Sequence, residues 1–390
     1  MKIVFVSNYL NHHQIPLCEA FCSISNVNFT FIATQEVEEE RIAMGYMTDF
    51  SGIPYLINAI DDSFKKQAED ICFNADVVIF GSAPLSLVKR RLKAKKLTFN
   101  YSERWFKKGF FNHPREIASM IKNYTIKGNK NYFQLCASAY TAEDSNKVFC
   151  FPNRKFKWGY FPLCKRYENL DDLIINKKKN SIVWVARFID WKHPEHAISL
   201  AKNLKDGGYD FKIKMIGNGE LLSSIMQKVK DLQLDDYVEI LGAMSPDEVR
   251  QKMEESEIHI FTSDRNEGWG AVLNEAMNSG CVCVASKSIG VVPYLIKDGK
   301  NGFIYENDDF DEFYNKVKFL LDNSKKRVEL GKKAYETIIN EWNAEVAAER
   351  LYDFCKAKLN RESLPIYEDG PMAKDNGRMS NDRKFKRKKY

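Results

Sequence analysis

Short runs of apolar, mostly β-branched residues alternate along the chain with amphipathic stretches of helix length. This alternation predicts βα units wound into parallel sheets. In the first half the predicted strands are 2–7, 27–33, 54–58, 76–81, 97–101 and 133–138. In the second half they are 181–186, 211–216, 237–241, 258–262, 282–285 and 302–305. Because the pattern occurs twice, we expect an α/β protein made of two Rossmann-like domains.

A polar segment without periodicity separates the two halves and marks the domain boundary. We place the first domain at residues 1–165, a linker at 166–180, the second domain at 181–340 and a further helix at 341–359. The residues after 359 are rich in Gly, Pro, Asn and basic side chains, so we expect 360–390 to form a disordered tail.

Composition places the chain among soluble globular proteins, since 44% of its 390 residues are hydrophobic and 29% are charged. Its nine cysteines include no CxxC pair, which favours reduced thiols over a disulfide framework or a zinc site. The apolar start is too short for a signal peptide, and no stretch approaches the length of a membrane span. We therefore expect a cytoplasmic protein.

Positive charge is concentrated rather than spread evenly. Thirteen Lys or Arg and two acids lie between Lys89 and Lys130, interleaved with Trp105, Phe106, Phe110 and Phe111. This mixture suits docking on an anionic membrane surface by shallow insertion. The alternative is a solvated charged face with aromatic residues in the core. Nucleic-acid binding is a third interpretation, but no RNA-binding motif supports it.

The strongest chemical signal is the stretch 266–280, which predicts a strand end, a glycine loop and a short helix stopped by Gly280. Gly268 and Gly270 allow a close approach of the backbone to a ligand, and the start of a helix favours a diphosphate. Glu267 and Glu275 flank the helix start and can face one cleft, where carboxylates bind sugar and ribose hydroxyls. Two solvated surface acids are the alternative.

This stretch resembles the E-G-x-G-x-x-x-x-E-A-M signature of the retaining glycosyltransferases of family 4, which have the GT-B fold. The similarity continues through residues 290–303. Upstream, residues 185–192 resemble the family's V-G-R-L-x-x-x-K-G segment, which carries over Arg187 and Lys192 as diphosphate contacts. Fixed cations there would stabilise the charge of the leaving diphosphate.

Two further turns that contain glycine are also similar to the family's pattern. Gly217 and Gly219 stand at a predicted strand-to-helix turn similar to the family's turn beside the donor, and Gly242 begins a segment that would border the base. The resemblance thus implies catalytic roles for Arg187, Lys192 and Glu267. It implies donor binding by Gly217, Gly219, Gly242, Gly268, Trp269, Gly270, Ala271, Val272, Leu273 and Glu275.

The resemblance also implies the reaction. It points to a hexosyltransferase that uses a UDP-, GDP- or ADP-sugar as substrate, retains the anomeric configuration and needs neither a metal ion nor another cofactor. Glu267 would hold the donor sugar and Glu275 the ribose. The helix with Trp342 would cross back to the first domain, and the two domains would face each other across the cleft.

The first half offers candidate contacts for the acceptor, which we expect to be a glycan or a lipid-linked glycan of surface polysaccharide biosynthesis. Five polar residues stand near predicted strand or loop ends, namely His12, His13, Glu103, Arg104 and His113. A structural or solvated role is the alternative for each.

Two other functions compete with sugar transfer. A nucleotide-sugar epimerase of related fold would bind the same donor but would need acid–base groups at the sugar. A non-catalytic basic adaptor for membrane or RNA would have no reason to keep Arg187 and Lys192 together with Glu267 and Glu275. The sequence therefore favours transfer.

Overall fold

A computed structural model describes residues 1–38, 50, 52–107, 109, 114–126, 129–307 and 309–377. It contains two parallel sheets, one in each half of the chain. The strands of the first sheet are β1 (Lys2–Ser7), β2 (Asn28–Ala33), β3 (Leu56–Asn58), β4 (Val77–Phe80), β5 (Thr98–Ser102), β6 (Tyr132–Cys136) and β7 (Lys155–Lys157). Those of the second sheet are β8 (Ser181–Val185), β9 (Lys212–Ile216), β10 (Val238–Gly242), β11 (Ile258–Phe261), β12 (Val282–Ser286) and β13 (Phe303–Tyr305).

Helices cover both faces of each sheet, which explains why central strands such as β4 and β11 are buried along their whole length. The helices of the first domain are α1 (Ile15–Ser23), α2 (Asp62–Asn74), α3 (Ser86–Lys93), α4 (Pro114–Met120), which continues as a π-helix over Ile121–Ile126, and α5 (Thr141–Lys147). Those that follow are α6 (Leu170–Ile175), a 3₁₀ turn at Asp190–Lys192, α7 (Pro194–Asp206), α8 (Leu222–Asp231), α9 (Pro246–Glu255), α10 (Val272–Asn278), α11 (Val292–Leu295), α12 (Phe310–Asp322), α13 (Ser324–Asn340) and α14 (Ala344–Asn360).

Both sheets are doubly wound. Their strand orders are β3-β2-β1-β4-β5-β6-β7 and β10-β9-β8-β11-β12-β13. The order reverses between β1 and β4 in the first sheet and between β8 and β11 in the second, and ligands bind at the carboxyl ends of strands beside such reversals. Every strand predicted from the sequence is present, whereas β7 was not predicted.

The last long helix, α14, returns to the first domain as expected. It packs against α1, and the ring of Phe354 lies 5.0–5.8 Å from the rings of Phe99, Phe133 and Phe156. The crossover helix therefore completes the core beneath the first sheet.

The prediction of a disordered tail from residue 360 is wrong for residues 362–377. Lys374 forms an antiparallel bridge with Phe156 of β7, and the Lys157 backbone N–H donates to the Ala373 carbonyl at 2.8 Å. Met372 and Ala373 are buried. These backbone hydrogen bonds and apolar contacts offset the entropic cost of ordering the segment. The polar composition of the segment gave no sign of these contacts. Residues 378–390 lie outside the described residues.

The predicted linker, 166–180, contains helix α6 and a buried lysine. The Lys177 ammonium donates to the carbonyls of Met253, Glu254, Ser256 and Ser279 at 2.8–3.2 Å. It thereby caps the C-terminal ends of α9 and α10, where helix carbonyls lack partners. Burial lowers the pKa of Lys177. This segment is part of the second domain's structure rather than a solvated connection.

Of the aromatic residues proposed to insert into a membrane, Trp105 and Phe106 pack against other aromatic rings of the first domain. Phe106 is buried with Tyr132 and Phe151, and Trp105 stacks on Tyr124 at 5.9 Å between ring centroids. Burial rules out membrane insertion through Phe106, Trp105 is half-buried, and Phe110 and Phe111 lie outside the described residues. Across the part of the chain that the structure describes, no helix combines the length and apolar character needed to cross a bilayer.

Candidate active site

A cavity of about 920 Å³ opens between the two domains, at the carboxyl ends of the strands beside both order reversals. The first domain contributes the loop after β1 and the residues after β4 and β5, including Ser82 and Glu103. The second domain contributes the loop after β8, part of α9 and the glycine loop before α10. The size suits a ligand larger than a single sugar.

The loop after β8 brings two cations to the cavity. Arg187 and Lys192 both line it, and Trp191 lies between them with its ring centroid 4.3 Å from Lys192 Nζ and 5.9 Å from Arg187 Cζ. The Lys192 carbonyl accepts a 2.6 Å hydrogen bond from Thr262, which in turn accepts from the buried Trp184 indole. The loop is therefore anchored to the end of β11.

Lys192 forms an ion pair with Glu267 across the cavity wall. Their side chains are only 12% and 11% exposed, so solvent screens this pair poorly. A cation and a carboxylate predicted from separate sequence motifs thus meet at one point. The pair places one positive and one negative group together at the cavity wall.

Three of the predicted donor-site glycines do not line the cavity. Gly217 has φ +142° and Gly219 has φ +155°, and a Cβ on either would overlap the backbone carbonyl of Ala186 or Phe188. The Gly217 N–H donates to the Gly242 carbonyl at 2.8 Å. These glycines allow the chain to pack directly against the loop that carries Arg187. Predicted donor residue Leu273 is also buried away from the cavity.

The glycine loop, residues 267–271, lines the cavity just before α10. Gly270 has φ +95°, and a Cβ there would meet the Phe261 ring at 2.8 Å. Trp269 is buried, and its indole N–H donates to Asn274 at 3.0 Å. Gly270, Ala271 and Val272 present the start of α10 to the cavity, as the sequence predicts for a phosphate-binding loop.

Glu275 lines the cavity one turn into α10. Burial raises the pKa of its carboxyl, and the nearby Arg250 guanidinium opposes that shift. Arg250 is held in place by hydrogen bonds to the Glu275 carbonyl at 3.0 Å, Asn278 at 3.0 Å and Ser279 at 3.2 Å. A carboxylate in such surroundings gains strongly from hydroxyl donors of a ligand.

The first domain supplies the opposite wall. His12, His13, Glu103 and Arg104 line the cavity, so four of the five predicted acceptor residues are brought together. The ring centroids of His12 and His13 lie 3.8 Å apart. Burial lowers the pKa of His12. His113 lies outside the described residues.

Glu103 contacts the second domain directly. Its carboxylate pairs with Lys107 at 2.8 Å, accepts from the Tyr160 hydroxyl at 3.1 Å and lies against Gly268, where any Cβ would overlap it. The Arg265 guanidinium also donates to the Lys107 carbonyl at 2.7 Å and 2.9 Å. The glycine loop is thus held between the two domains.

Sequence reasoning missed several lining residues. Trp191 stands inside the 185–192 motif but received no role, whereas Arg250 and Tyr160 carry no signal because each resembles an ordinary surface residue in its local sequence. Their positions depend on how the helices and domains pack. Only the tertiary structure therefore identifies them.

Among the described residues, His193, Glu195 and His196 place their ligand atoms within 4.8 Å of one another, close enough to surround a metal ion. The group begins directly after Lys192, yet none of the three lines the cavity. His193 and Glu195 are hydrogen-bonded at 2.8 Å. The geometry gives this cluster no contact with a substrate in the cleft.

Two doubly wound domains facing each other across a cleft, with the returning C-terminal helix, define the GT-B fold of glycosyltransferases. The crystal structure of Anabaena HepE in complex with UDP has the same fold, with a TM-score of 0.69, 13% sequence identity and coverage of 92% of this chain and 100% of that one. Residues 165–337 match the family model for glycosyl transferases group 1.

Curated relatives that this chain resembles are also named glycosyltransferases. An uncharacterised glycosyltransferase of Methanocaldococcus jannaschii is 27% identical over 359 residues, covering 86% of this chain and 93% of the relative. A putative colanic acid biosynthesis glycosyltransferase of Escherichia coli is 24% identical over 182 residues, or 45% of each chain. With several curated relatives the match spans less than half of the relative's length.

Proposed function

We propose that the protein is a retaining, metal-independent glycosyltransferase that moves a sugar from a nucleoside-diphosphate sugar to a glycan or lipid-linked acceptor. The observation that carries the proposal is the meeting of Lys192, Arg187 and Glu267 at one wall of an interdomain cavity. The family model matches the segment that contains all three residues.

Breaking the bond between the sugar and the diphosphate puts negative charge on the leaving group. Arg187, Lys192 and the start of α10 surround the space where that charge would develop. Groups held in place before the reaction stabilise such charge without reorganisation, and each is worth about 10²–10³ in rate. In this proposal the two cations take the part that a divalent metal plays elsewhere.

Glu267 and Glu275 would bind different parts of the donor. Glu267 is close to Lys192, hence to the diphosphate end of the donor sugar, and would accept from its hydroxyls. Glu275 lies further along α10, beside Arg250, and would accept from the ribose. A nucleotide bound in this way extends from the sugar towards Met244 and Val249, which supply apolar contacts for the base.

The contacts between Glu103 and Gly268 and between Arg265 and Lys107 join the two domains beside the proposed sugar position and would keep the cleft closed there. Closure keeps water from competing with the acceptor. The similarity to a putative colanic acid biosynthesis glycosyltransferase supports a role in polysaccharide assembly, for which a cytoplasmic location is proposed. The similarity to HepE with bound UDP supports a uridine nucleotide.

Thermal-shift measurements with UDP, GDP and ADP test the donor site. The expected result is a higher melting temperature with one nucleotide for the wild type but not for an Arg187→Ala/Glu275→Ala double variant, because a ligand that binds only the folded state stabilises it. If no nucleotide raises the melting temperature, the proposed donor site is refuted.

Incubation with sugars of the selected nucleotide then separates the enzyme classes. Transfer releases free nucleoside diphosphate in the presence of acceptor, whereas an epimerase returns an intact nucleotide-sugar and an adaptor changes nothing. The anomeric proton coupling of the product reports retention. Unchanged activity in a strong chelator supports metal independence, and loss of activity there would contradict it.

Docking on an anionic membrane is a further part of the proposal, supported by the exposed Lys89, Lys93 and Lys95 on and just after α3. Co-sedimentation with phosphatidylglycerol vesicles tests it. Binding that falls as salt rises is expected, because exposed charges are screened. Equal binding to phosphatidylcholine vesicles, or none to either, would contradict it.

A further inference from the structure

Arg104 places a positively charged guanidinium in the first domain's wall of the cavity. It follows β5 by two positions, lines the cavity, and has a side chain that is only 12% exposed. Its guanidinium lies over the ring of Tyr140, with Cζ 4.7 Å from the centroid. The Tyr140 hydroxyl donates to the Lys287 carbonyl, so the platform beneath Arg104 is fixed to both domains.

The nearest carboxylate does not satisfy this guanidinium. Asp144 Oδ2 lies 3.9 Å from Arg104 Nε, which is too long for a hydrogen bond. Asp144 instead accepts from the backbone N–H groups of Trp105 at 3.0 Å and Phe106 at 3.1 Å, and from Lys147 at 3.2 Å. Among the described residues, Arg104 Nε has no hydrogen-bond acceptor.

The buried Arg91 shows what a structural role of an arginine looks like in this protein. Arg91 donates to Thr98 and to the carbonyls of Cys72, Ala75, Asp76 and Leu97, so every nitrogen of its guanidinium is used. Arg91 is fully buried, whereas the Arg104 side chain is 12% exposed and lacks that set of acceptors. A buried charge without hydrogen bonds is costly unless a ligand completes it.

The surroundings favour an anion from the acceptor over the donor's diphosphate. In the proposed function Arg187 and Lys192 bind the diphosphate from the second domain, whereas Arg104 belongs to the first domain's wall. Glu103, the residue before Arg104, lies against Gly268 of the glycine loop. The other cation of this wall, Lys107, is already paired with Glu103 at 2.8 Å.

We propose that Arg104 binds an anionic group, a phosphate or a carboxylate, carried by the acceptor close to the hydroxyl that receives the sugar. The inference rests on the proposed function, whose acceptor it specifies by chemistry. The planar fork of a guanidinium matches two oxygens of either anion, and stacking on Tyr140 orients the fork. The acceptor is then an anionic glycan or a phosphate-linked one.

A matched set of small probes tests this contact. The full-length protein, saturated with the nucleotide that stabilises it, is titrated with glycerol 3-phosphate, glycerate and glycerol while the melting temperature is followed. Glycerol 3-phosphate and glycerate distinguish phosphate from carboxylate, and glycerol has the hydroxyls alone. The variants are Arg104→Met and Arg104→Lys, with Arg90→Met as control because Arg90 is exposed and pairs with Asp70 outside the cavity.

We expect one of the two anionic probes, but not glycerol, to stabilise the wild type and the Arg90→Met variant. Arg104→Met should bind that probe about tenfold more weakly or worse, as for loss of a charge-assisted hydrogen bond, with Arg104→Lys between the two. Nucleotide binding should be unchanged in both Arg104 variants. The melting temperature without ligands shows whether each variant is folded.

Three results would overturn the inference. Equal stabilisation of Arg104→Met and wild type would show that the anion binds elsewhere, and no stabilisation by either anion would show that there is no such subsite. Loss of nucleotide binding in Arg104→Met would assign the residue to the donor instead. If no nucleotide binds the wild type, the proposed function fails, and the comparison of anionic probes with glycerol still decides the Arg104 contact.

Discussion

The two walls of the cavity are built in different ways. The second domain's wall depends on backbone packing, because Gly217, Gly219 and Gly270 adopt positive φ and allow loops to approach each other directly. The first domain's wall consists mainly of side chains such as His12, Glu103 and Arg104. A wall made by glycines leaves a recognisable sequence pattern, whereas a wall made by side chains can change without altering the fold.

Among the described residues, each wall has a lysine–glutamate pair, which allows the two walls to be compared by the same substitution. Lys192 pairs with Glu267 and is 12% exposed, while Lys107 pairs with Glu103 and is 34% exposed. We expect Lys192→Met to lower turnover by about 10²–10³-fold, since it removes a buried cation from the leaving group. Lys107→Met should lower turnover by less than about tenfold, as solvent screens its pair.

Steady-state rates of nucleoside diphosphate release, with the donor identified by thermal shift, measure both effects. Lys202→Met serves as the control, because Lys202 is exposed and pairs with Asp206 on α7. Equal losses for Lys192→Met and Lys107→Met would remove the distinction between the two walls.

Gly217→Ala tests whether backbone packing defines the second wall. The new Cβ would overlap the Ala186 carbonyl at a φ of +142°, so we expect a loss of about 2–4 kcal/mol in the free energy of unfolding. Gly52→Ala is the matched control, since a Cβ there meets no atom of the described residues within 4 Å and should change stability by less than about 0.5 kcal/mol. Denaturant unfolding that shows similar stabilities for the two variants would contradict this account.

The difference between the walls also explains what could be predicted from the sequence. Arg187, Lys192, Glu267 and the glycine loop were predicted, and the structure brings them to one cavity. Gly217 and Gly219 were assigned to the donor site from the sequence, but they lie behind the Arg187 loop. A sequence pattern does not show whether a glycine in a turn faces a ligand or the neighbouring backbone. Arg250 was missed since only helix packing turns it towards the cleft.

A smaller effect is expected at the contact that ties the tail to both domains. Asp369 pairs with Lys157 of β7 at 2.6 Å and with Lys297 of the second domain at 3.0 Å. Asp369→Asn should lower the free energy of unfolding by about 1 kcal/mol, because both pairs are partly exposed. The effect should shrink in high salt, and an unchanged difference between low and high salt would show that charge is not the cause.

The smallest effect concerns His193, next to Lys192. A hydrogen bond from its ring to Glu195 raises the His193 pKa above 6.5, with Asp264 also contributing and burial opposing. The stabilisation is therefore fully present below the ordinary histidine pKa and is lost as pH rises through the raised value. The excess melting temperature of wild type over Glu195→Gln should be larger at about pH 5.5 than at about pH 8.

Proton NMR titration of the His193 ring provides the direct measurement. Its pKa should fall in Glu195→Gln, and an unchanged value would show that Glu195 does not cause the shift.

The fold was predicted best where strands are long and apolar. β7 was missed because three residues, two of them lysines, carry no recognisable period, and its place is fixed by pairing with β6 and with residue 374. The ordered structure of residues 362–377 was not predicted either, because it too depends on pairing with other parts of the chain. Their partners, among them Tyr294 for Asp375, are distant in sequence.

The pairing of residues 372–375 with β7 has a consequence for the order in which the protein folds during synthesis. The second sheet and the helices that bury it come from one continuous stretch, Ser181 to Asn340, so this domain can assemble once that stretch has left the ribosome. The first sheet is made earlier, but its edge and the α14 surface against α1 are supplied by residues beyond 343. The domain synthesised first is thus the one completed last, against the usual N-terminal-first order.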